Sequence, residues 1–264
     1  MEKSFLSLYF TGFLRAAKML LEYPKIEGLW DKFIIPEKGE NQEYYTVCGF
    51  AVTAFVVGFI GTLLLWLVTA LIPDFIGTLV GAIMMFLIIE LKDKFSGTVL
   101  SCSYLSSRLD GVKHKQSWAM INDNIDVGSD KLYGVCLSFA VLIKFAFCFV
   151  LIEKDCEFML IPILMINYCL QGFLASNRSL NDKIFFHLEL HDLEKFCIIS
   201  MVLFFVGVYF NFVLWLFGLF VFALICFIIH KNDESLHVFK AGTLTLTGAV
   251  GEFILMVLLG LHVI

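Results

Sequence analysis

Apolar residues in this chain fall in long runs separated by short polar intervals. Val47 to Ile72 carries no charge, Phe75 to Ile89 returns after a turn at Pro73 and Asp74, and Leu132 to Ile152 is interrupted only by Lys144. Phe158 to Ala175 and Thr243 to Val263 repeat the pattern. Phe196 to Ile229 is too long for one crossing and long enough for two short ones turning near Tyr209 to Asn211. A helix needs about 20 apolar residues to span bilayer hydrocarbon, and only helices or closed barrels satisfy their own backbone there. The pattern therefore predicts an all-α, polytopic membrane helix bundle of about seven transmembrane helices, a single integral-membrane domain over residues 1–264.

The flanking segments read differently. Ser4 to Tyr23 places Phe5, Leu8, Tyr9, Gly12, Phe13, Ala16, Met19 and Leu20 at helical spacing between Lys3, Arg15, Lys18 and Glu22, which predicts an N-terminal amphipathic surface helix closed by Pro24. Gly28 to Tyr45 is a charged loop, so residues 1–46 form a polar N-terminal segment. Phe95 to Leu109 is Ser-rich and mildly apolar, a helix expected close to the membrane interface, with Glu90 and Lys92 snorkelling at the end of the second span.

Composition narrows the class. With 59% hydrophobic and 16% charged residues and a mean hydropathy of +0.87, the chain is no ordinary soluble domain, and nothing in it supports nucleic-acid binding. The net charge of -5 says little about partners, because the informative quantity is where Lys and Arg lie. With seven spans and the N-terminus inside, 17 of the 19 Lys and Arg fall in cytoplasmic segments, leaving Lys154 outside and Lys144 within a span. Eight cysteines form no Cys-x-x-Cys pair and mostly sit in apolar runs, as small buried hydrophobes in a reduced setting. The first long apolar run begins only near Val47, so no cleaved secretory signal is expected.

The long polar interval from Glu90 to Lys131 is the candidate active-site segment, residues 90–131. It holds Glu90, Asp93, Asp110, Asp123, Asp126 and Asp130 among Lys92, Lys94, Arg108, Lys113, Lys115 and Lys131. Carboxylates beside cations at a membrane surface suit phosphoryl transfer: carboxylates hold Mg²⁺, and Lys or Arg stabilises charge on phosphate oxygens. The bland alternative is a solvated loop. Glu252 lies within the last span, where an uncompensated carboxylate is costly, so it is expected to face the bundle interior.

In layout the chain resembles the cobalamin synthase (adenosylcobinamide-GDP ribazoletransferase) family at five places. Ala17-Lys18-Met19-Leu20-Leu21-Glu22-Tyr23-Pro24 is similar to the family's Phe-Leu-Thr-Arg-Ile-Pro entry, with Glu22 in place of Arg, and two spans separated by Pro73 then lead into the acidic segment. Ile121-Asn122-Asp123-Asn124-Ile125-Asp126-Val127-Gly128, before the span opened by Tyr133-Gly134-Val135, is similar to the Met-Lys-Asp-Ser-Arg-Ile-Gly stretch. For the family's His-Leu-Asp-Gly-Leu-Ala-Asp signature, Leu109-Asp110-Gly111 matches by residue type and Asp93 by distance from the second span. Leu174-Ala175-Ser176-Asn177-Arg178 resembles a span ending in Ser-Arg, and Ala241-Gly242-Thr243-Leu244-Thr245 with Gly248-Ala249 resembles a Gly-Gly-Val-Thr-Gly-Asp run, with Thr245 where the family has Asp. Several of the family's carboxylates are thus replaced.

The resemblance implies a transferase in the cell inner membrane that joins adenosylcobinamide-GDP and α-ribazole, or its 5'-phosphate, to give adenosylcobalamin, or correspondingly its phosphate, and GMP. It implies Mg²⁺ held by Asp123 with Asp93 or Asp110, these three acting as the catalytic set, and substrate contacts from Arg178, Asn124, His114, Thr243 and Thr245. Two other classes stay open: a non-catalytic relative acting as a membrane scaffold or binding protein, and a small transporter whose polar path would draw on Lys144, Asn167, Gln171, Asn211 and Glu252.

Overall fold

The computed structural model describes residues 10–14, 40–72, 74–92, 95–122, 131–177 and 241–263, with six isolated residues between 212 and 224. Every regular element among them is helical. In chain order they are α1 (Glu40–Leu71), α2 (Asp74–Leu91), α3 (Ser96–Leu109), α4 (His114–Asn122), α5 (Lys131–Glu153), a 3₁₀ turn (Glu157–Met159), α6 (Leu160–Asn177) and α7 (Ala241–Val263). The expected spans within 196–229 and most of the expected N-terminal surface helix lie outside the described residues. Phe10 to Leu14, the part of that helix described, is helical with Leu14 buried.

Three helices are long and apolar enough to cross a bilayer by themselves: Gly49–Leu71 in α1, Leu132–Glu153 in α5 and Thr245–Val263 in α7. α2 and α3 make a fourth crossing if taken as one broken span, bent by 78° between Leu91 and Ser96. This is a membrane protein with three to four such spans among the described residues.

α6 is the axis of the bundle. Its apolar stretch is the shortest, yet Leu160 to Leu170 is buried on every side, as an all-round apolar helix must be when protein surrounds it. α1 and α7 flank it, α2 packs on α5 and on α1, and α3 packs on α5 and α7. The core joins Ile163, Leu164 and Tyr168 of α6 to Phe50 and Leu65 of α1, Met85 and Ile89 of α2, Leu151 of α5 and Met256 of α7. The outward faces stay apolar: Phe59, Ile60, Leu63, Trp66 and Leu67 of α1 are exposed, which suits lipid and not water.

One expectation is met and one is not. The helix predicted from Phe95 to Leu109 is α3, and it packs against α5 and α7. Glu90 and Lys92, expected to snorkel, are 1% and 6% exposed. Snorkelling needs a route to water, and the bend after Leu91 turns both side chains toward α5 and α7.

Close approach of α1 and α6 depends on Gly58, where a Cβ would fall 2.8 Å from the Ile161 Cα. Small residues let membrane helices meet backbone to backbone. Gly58→Leu is expected to lose about 1–3 kcal/mol through overpacking, read as a lower unfolding midpoint in detergent, whereas Leu63→Phe on the lipid-facing side of the same helix leaves the midpoint unchanged.

Candidate functional site

Four ionisable side chains meet where α2 breaks into α3. Lys144 of α5 is ion-paired to the Glu90 Oε1 at the end of α2. The Lys144 Nζ also donates to the Thr98 Oγ1 at 2.9 Å and to the Glu252 Oε1 at 3.3 Å. Lys92, just past the end of α2, lies 2.7 Å from the other Glu252 oxygen, and its Nζ also donates to the Ile89 carbonyl at 2.6 Å. Thr98 donates to the Glu90 Oε2 at 2.7 Å. From α6, the Asn167 Nδ2 donates to the Glu252 Oε2 at 2.5 Å, and Gln171 in turn donates to the Asn167 Oδ1 at 2.6 Å.

Each position follows from local sequence and packing. Phe95 adopts a left-handed conformation (φ 67°), and its N–H donates to the Glu90 carbonyl at 2.9 Å, closing the end of α2. The Lys92 ammonium covers a second terminal carbonyl, so the open helix end is answered inside the protein. Gly248 of α7 leaves room for the amides of α6: a Cβ there would sit 2.7 Å from the Gln171 Nε2.

The centre is deep. Glu252 lies seven residues from Thr245 and eleven from Val263, the ends of the apolar stretch of α7, so it sits well inside the span. Glu252 is 0% exposed and Lys144 4%. At that depth an isolated ion costs several kcal/mol, so what holds the site is pairing. Two ammoniums face two carboxylates, and the four charges cancel.

Beyond Lys144 a cavity of about 530 Å³ opens between α3, α5 and α7, with Thr98, Ser101, Cys102 and Lys144 among its lining. Outside the spans, at the turn between α5 and α6, burial and then the Glu157 and Asp155 carboxylates hold the Cys156 thiol above its usual range. Its Sγ donates to the Lys154 carbonyl at 3.2 Å.

The residues expected to carry chemistry are placed as follows. Asp110 caps the C-terminal end of α3 and is exposed, its N–H donating to the Ser106 carbonyl at 2.9 Å. His114 opens α4, Thr243 lies in the first turn of α7, and Thr245 is half-buried on α7. Asp93, Asp123, Asn124 and Arg178 lie outside the described residues. Asp110 is thus the described member of the expected Mg²⁺ set, and no group of three or more His, Cys, Asp or Glu comes together among the described residues. The buried carboxylates do not fit a metal: lysine, threonine and asparagine already occupy their oxygens.

The reading of Glu252 as facing the bundle interior agrees with its position. What sequence reasoning missed is its partners. A lysine in one span and a glutamate in another are each costly alone, and that pair of signals points to a shared ion pair. No family model matches the chain, and no curated protein or solved structure matches it.

The paired geometry sets an expected pattern in mutants. Lys144→Met alone strands a buried carboxylate and is expected to lower stability by about 3–5 kcal/mol, while Lys144→Met with Glu90→Gln removes both charges and recovers at least half of that loss. Unfolding midpoints of the two single variants and the double variant, read as a cycle, measure the coupling.

Proposed function

We propose that the chain is a membrane-embedded group transferase of the cobalamin synthase kind, joining adenosylcobinamide-GDP to α-ribazole or its 5'-phosphate with release of GMP. The observation that supports this most is the rooting of the polar interval. Glu90 and Lys92, its first two charges, are buried and ion-paired across to α5 and α7, and α3 continues inward from them. A merely solvated loop would not begin in the bundle interior. A segment anchored there gives the turn at Asp110, which ends α3, a defined place beside the bundle. Positioning of that kind is the main requirement of phosphoryl transfer.

In this reading a hydroxyl oxygen of α-ribazole bonds to the cobinamide-linked phosphorus and gives up its proton to water, the bond from that phosphorus to the GMP phosphate oxygen breaks, and GMP leaves. Asp123 with Asp93 or Asp110 supplies oxygen ligands of the type Mg²⁺ prefers, and the ion, when bound, neutralises phosphoryl oxygens. Arg178 clamps the diphosphate, and Asn124, His114, Thr243 and Thr245 contact substrate. The full scaffold has seven spans and an N-terminal surface helix, with the N-terminus and the polar loops cytoplasmic, in the cell inner membrane.

A second reading, a small transporter, is favoured by one observation: Lys144, Asn167, Gln171 and Glu252, residues expected to line a polar path, converge inside the bundle beside the bend between α2 and α3. Discontinuous helices at the bilayer midplane are where transporters place their sites.

Purified membranes given adenosylcobinamide-GDP and α-ribazole are expected to release GMP only with Mg²⁺ present, and Asp123→Asn to lower the rate at least about 100-fold, a loss of roughly 2.7 kcal/mol of transition-state stabilisation. Absence of turnover, together with accumulation of a solute in sealed vesicles, would transfer the assignment to the transporter. Orientation has its own readout. A membrane-impermeant maleimide added outside intact cells is expected to label Cys156, slowly at neutral pH and faster as pH rises, since burial and the neighbouring carboxylates disfavour its thiolate.

A further inference from the structure

The buried ion cluster does more than cancel charge, because its members are divided evenly between two parts of the fold. Glu90 and Lys92 lie at the end of α2, whereas Lys144 belongs to α5 and Glu252 to α7. Each side holds one carboxylate and one ammonium. Each is therefore neutral alone.

The two closest ion pairs cross from one side to the other: Lys144 with Glu90, and Lys92 with Glu252 at 2.7 Å. A third contact stays within one side, the Lys144 Nζ lying 3.3 Å from the Glu252 Oε1. On the other side, the Lys92 Nζ bonds the Ile89 carbonyl at 2.6 Å, so its ammonium folds back over the helix end that carries Glu90. The four charges thus form a row of alternating sign in the order Glu90, Lys144, Glu252, Lys92. Such a row can be paired in two ways, crosswise or within each side, and neither leaves a buried charge alone. That matters because stranding one ion of a buried pair is among the most destabilising changes a protein interior can suffer.

The neutral donors are divided in the same way. Thr98 of α3 bonds the Glu90 carboxylate, and Asn167 of α6 bonds that of Glu252. Each carboxylate keeps a donor from its own side whichever lysine it holds. Between α2 and α3, Phe95 sits at φ 67°, a left-handed conformation rarely occupied by so large a side chain. Element ends of this kind are where a chain absorbs a change of direction.

We propose that the cluster is a partner-exchange joint. When the lysines pass from crosswise to same-side pairing, the break between α2 and α3 is released from α5 and α7 with no unpaired charge left in the interior, and return of the crosswise pairs locks it again. Ion pairs change partners, while no covalent bond forms or breaks and no proton moves. The locked state is the one on which the transferase reading relies. The exchange itself requires no turnover, so it stands or falls separately from that reading.

Three double variants of the full chain in detergent separate exchange from a fixed pairing. Lys144→Met with Glu252→Gln takes from Glu90 and Lys92 the crosswise partners they have and leaves them to each other. Lys92→Met with Glu90→Gln leaves Lys144 to Glu252, and Lys144→Met with Glu90→Gln keeps the crosswise pair of Lys92 and Glu252. All three are expected to recover at least half of the midpoint lost by Lys144→Met alone. Amide hydrogen exchange along α3 is expected to be about tenfold faster in the first two than in the third, through local opening and not global unfolding. A midpoint for Lys144→Met with Glu252→Gln at or below that of Lys144→Met, failure to fold included, would overturn the proposal. So would equal exchange along α3 in Lys92→Met with Glu90→Gln and in the variant that keeps the crosswise pair.

Discussion

A helix that ends inside hydrocarbon leaves carbonyls at one stump and amides at the next, with no water to satisfy either. The break between α2 and α3 creates this demand, and the surrounding structure supplies the answer. The Phe95 N–H and the Lys92 ammonium take carbonyls at the end of α2, and Thr98 in the first turn of α3 bonds the Glu90 carboxylate. Each answer introduces a new charge to be balanced. Lys92 calls for Glu252, Glu90 calls for Lys144, and the remaining Glu252 oxygen capacity is met by Asn167. The arrangement is complete only when every member is present, which is the condition under which a buried polar network is tolerable at all.

The packing of the bundle follows from the same centre. α6 is enclosed because it must bring Asn167 and Gln171 to α7, and Gly248 is small because a larger residue would displace those amides. α1 closes over the opposite side of α6 through Gly58. The polar interval after Glu90 therefore starts from a rigid point, and the transferase reading rests on that rigidity. The cavity toward Leu109 lies on the same helix that the centre anchors, so α3 has one end fixed by charge and one side lined by hydrocarbon.

Much of the fold was legible in the residue pattern. Long apolar runs announced α1, α5 and α7 as spans, and Glu252 within a span announced a carboxylate turned inward. The packing of α3 on α5 and α7 was not legible, because its serines read as polar, whereas Ser101, Ser106 and Ser107 donate to backbone carbonyls of their own helix and present little polarity outward. Glu90 and Lys92 were misjudged for a related reason. Charges at the end of an apolar run usually mark water, and only the sharp bend, a tertiary feature, turns these two inward. Lys144 was visible as an anomaly, but which partner it had depended on helix neighbours that no single span encodes. The candidate acidic site was legible only as residue types in order, and Asp110, its described member, is exposed beyond the buried centre.

The source of Glu252 has a consequence for biogenesis. It is the counterion shared by both lysines, yet it belongs to α7, which the ribosome makes well after α2, α3 and α5 have emerged. Until α7 inserts, the nascent membrane intermediate holds two ammoniums against a single carboxylate. Such an intermediate is poorly tolerated in hydrocarbon, which favours late insertion, retention near the translocon, or a chaperone that shields the unbalanced charge. Integration of the last helix is then the step that neutralises the interior and commits the bundle to its final form.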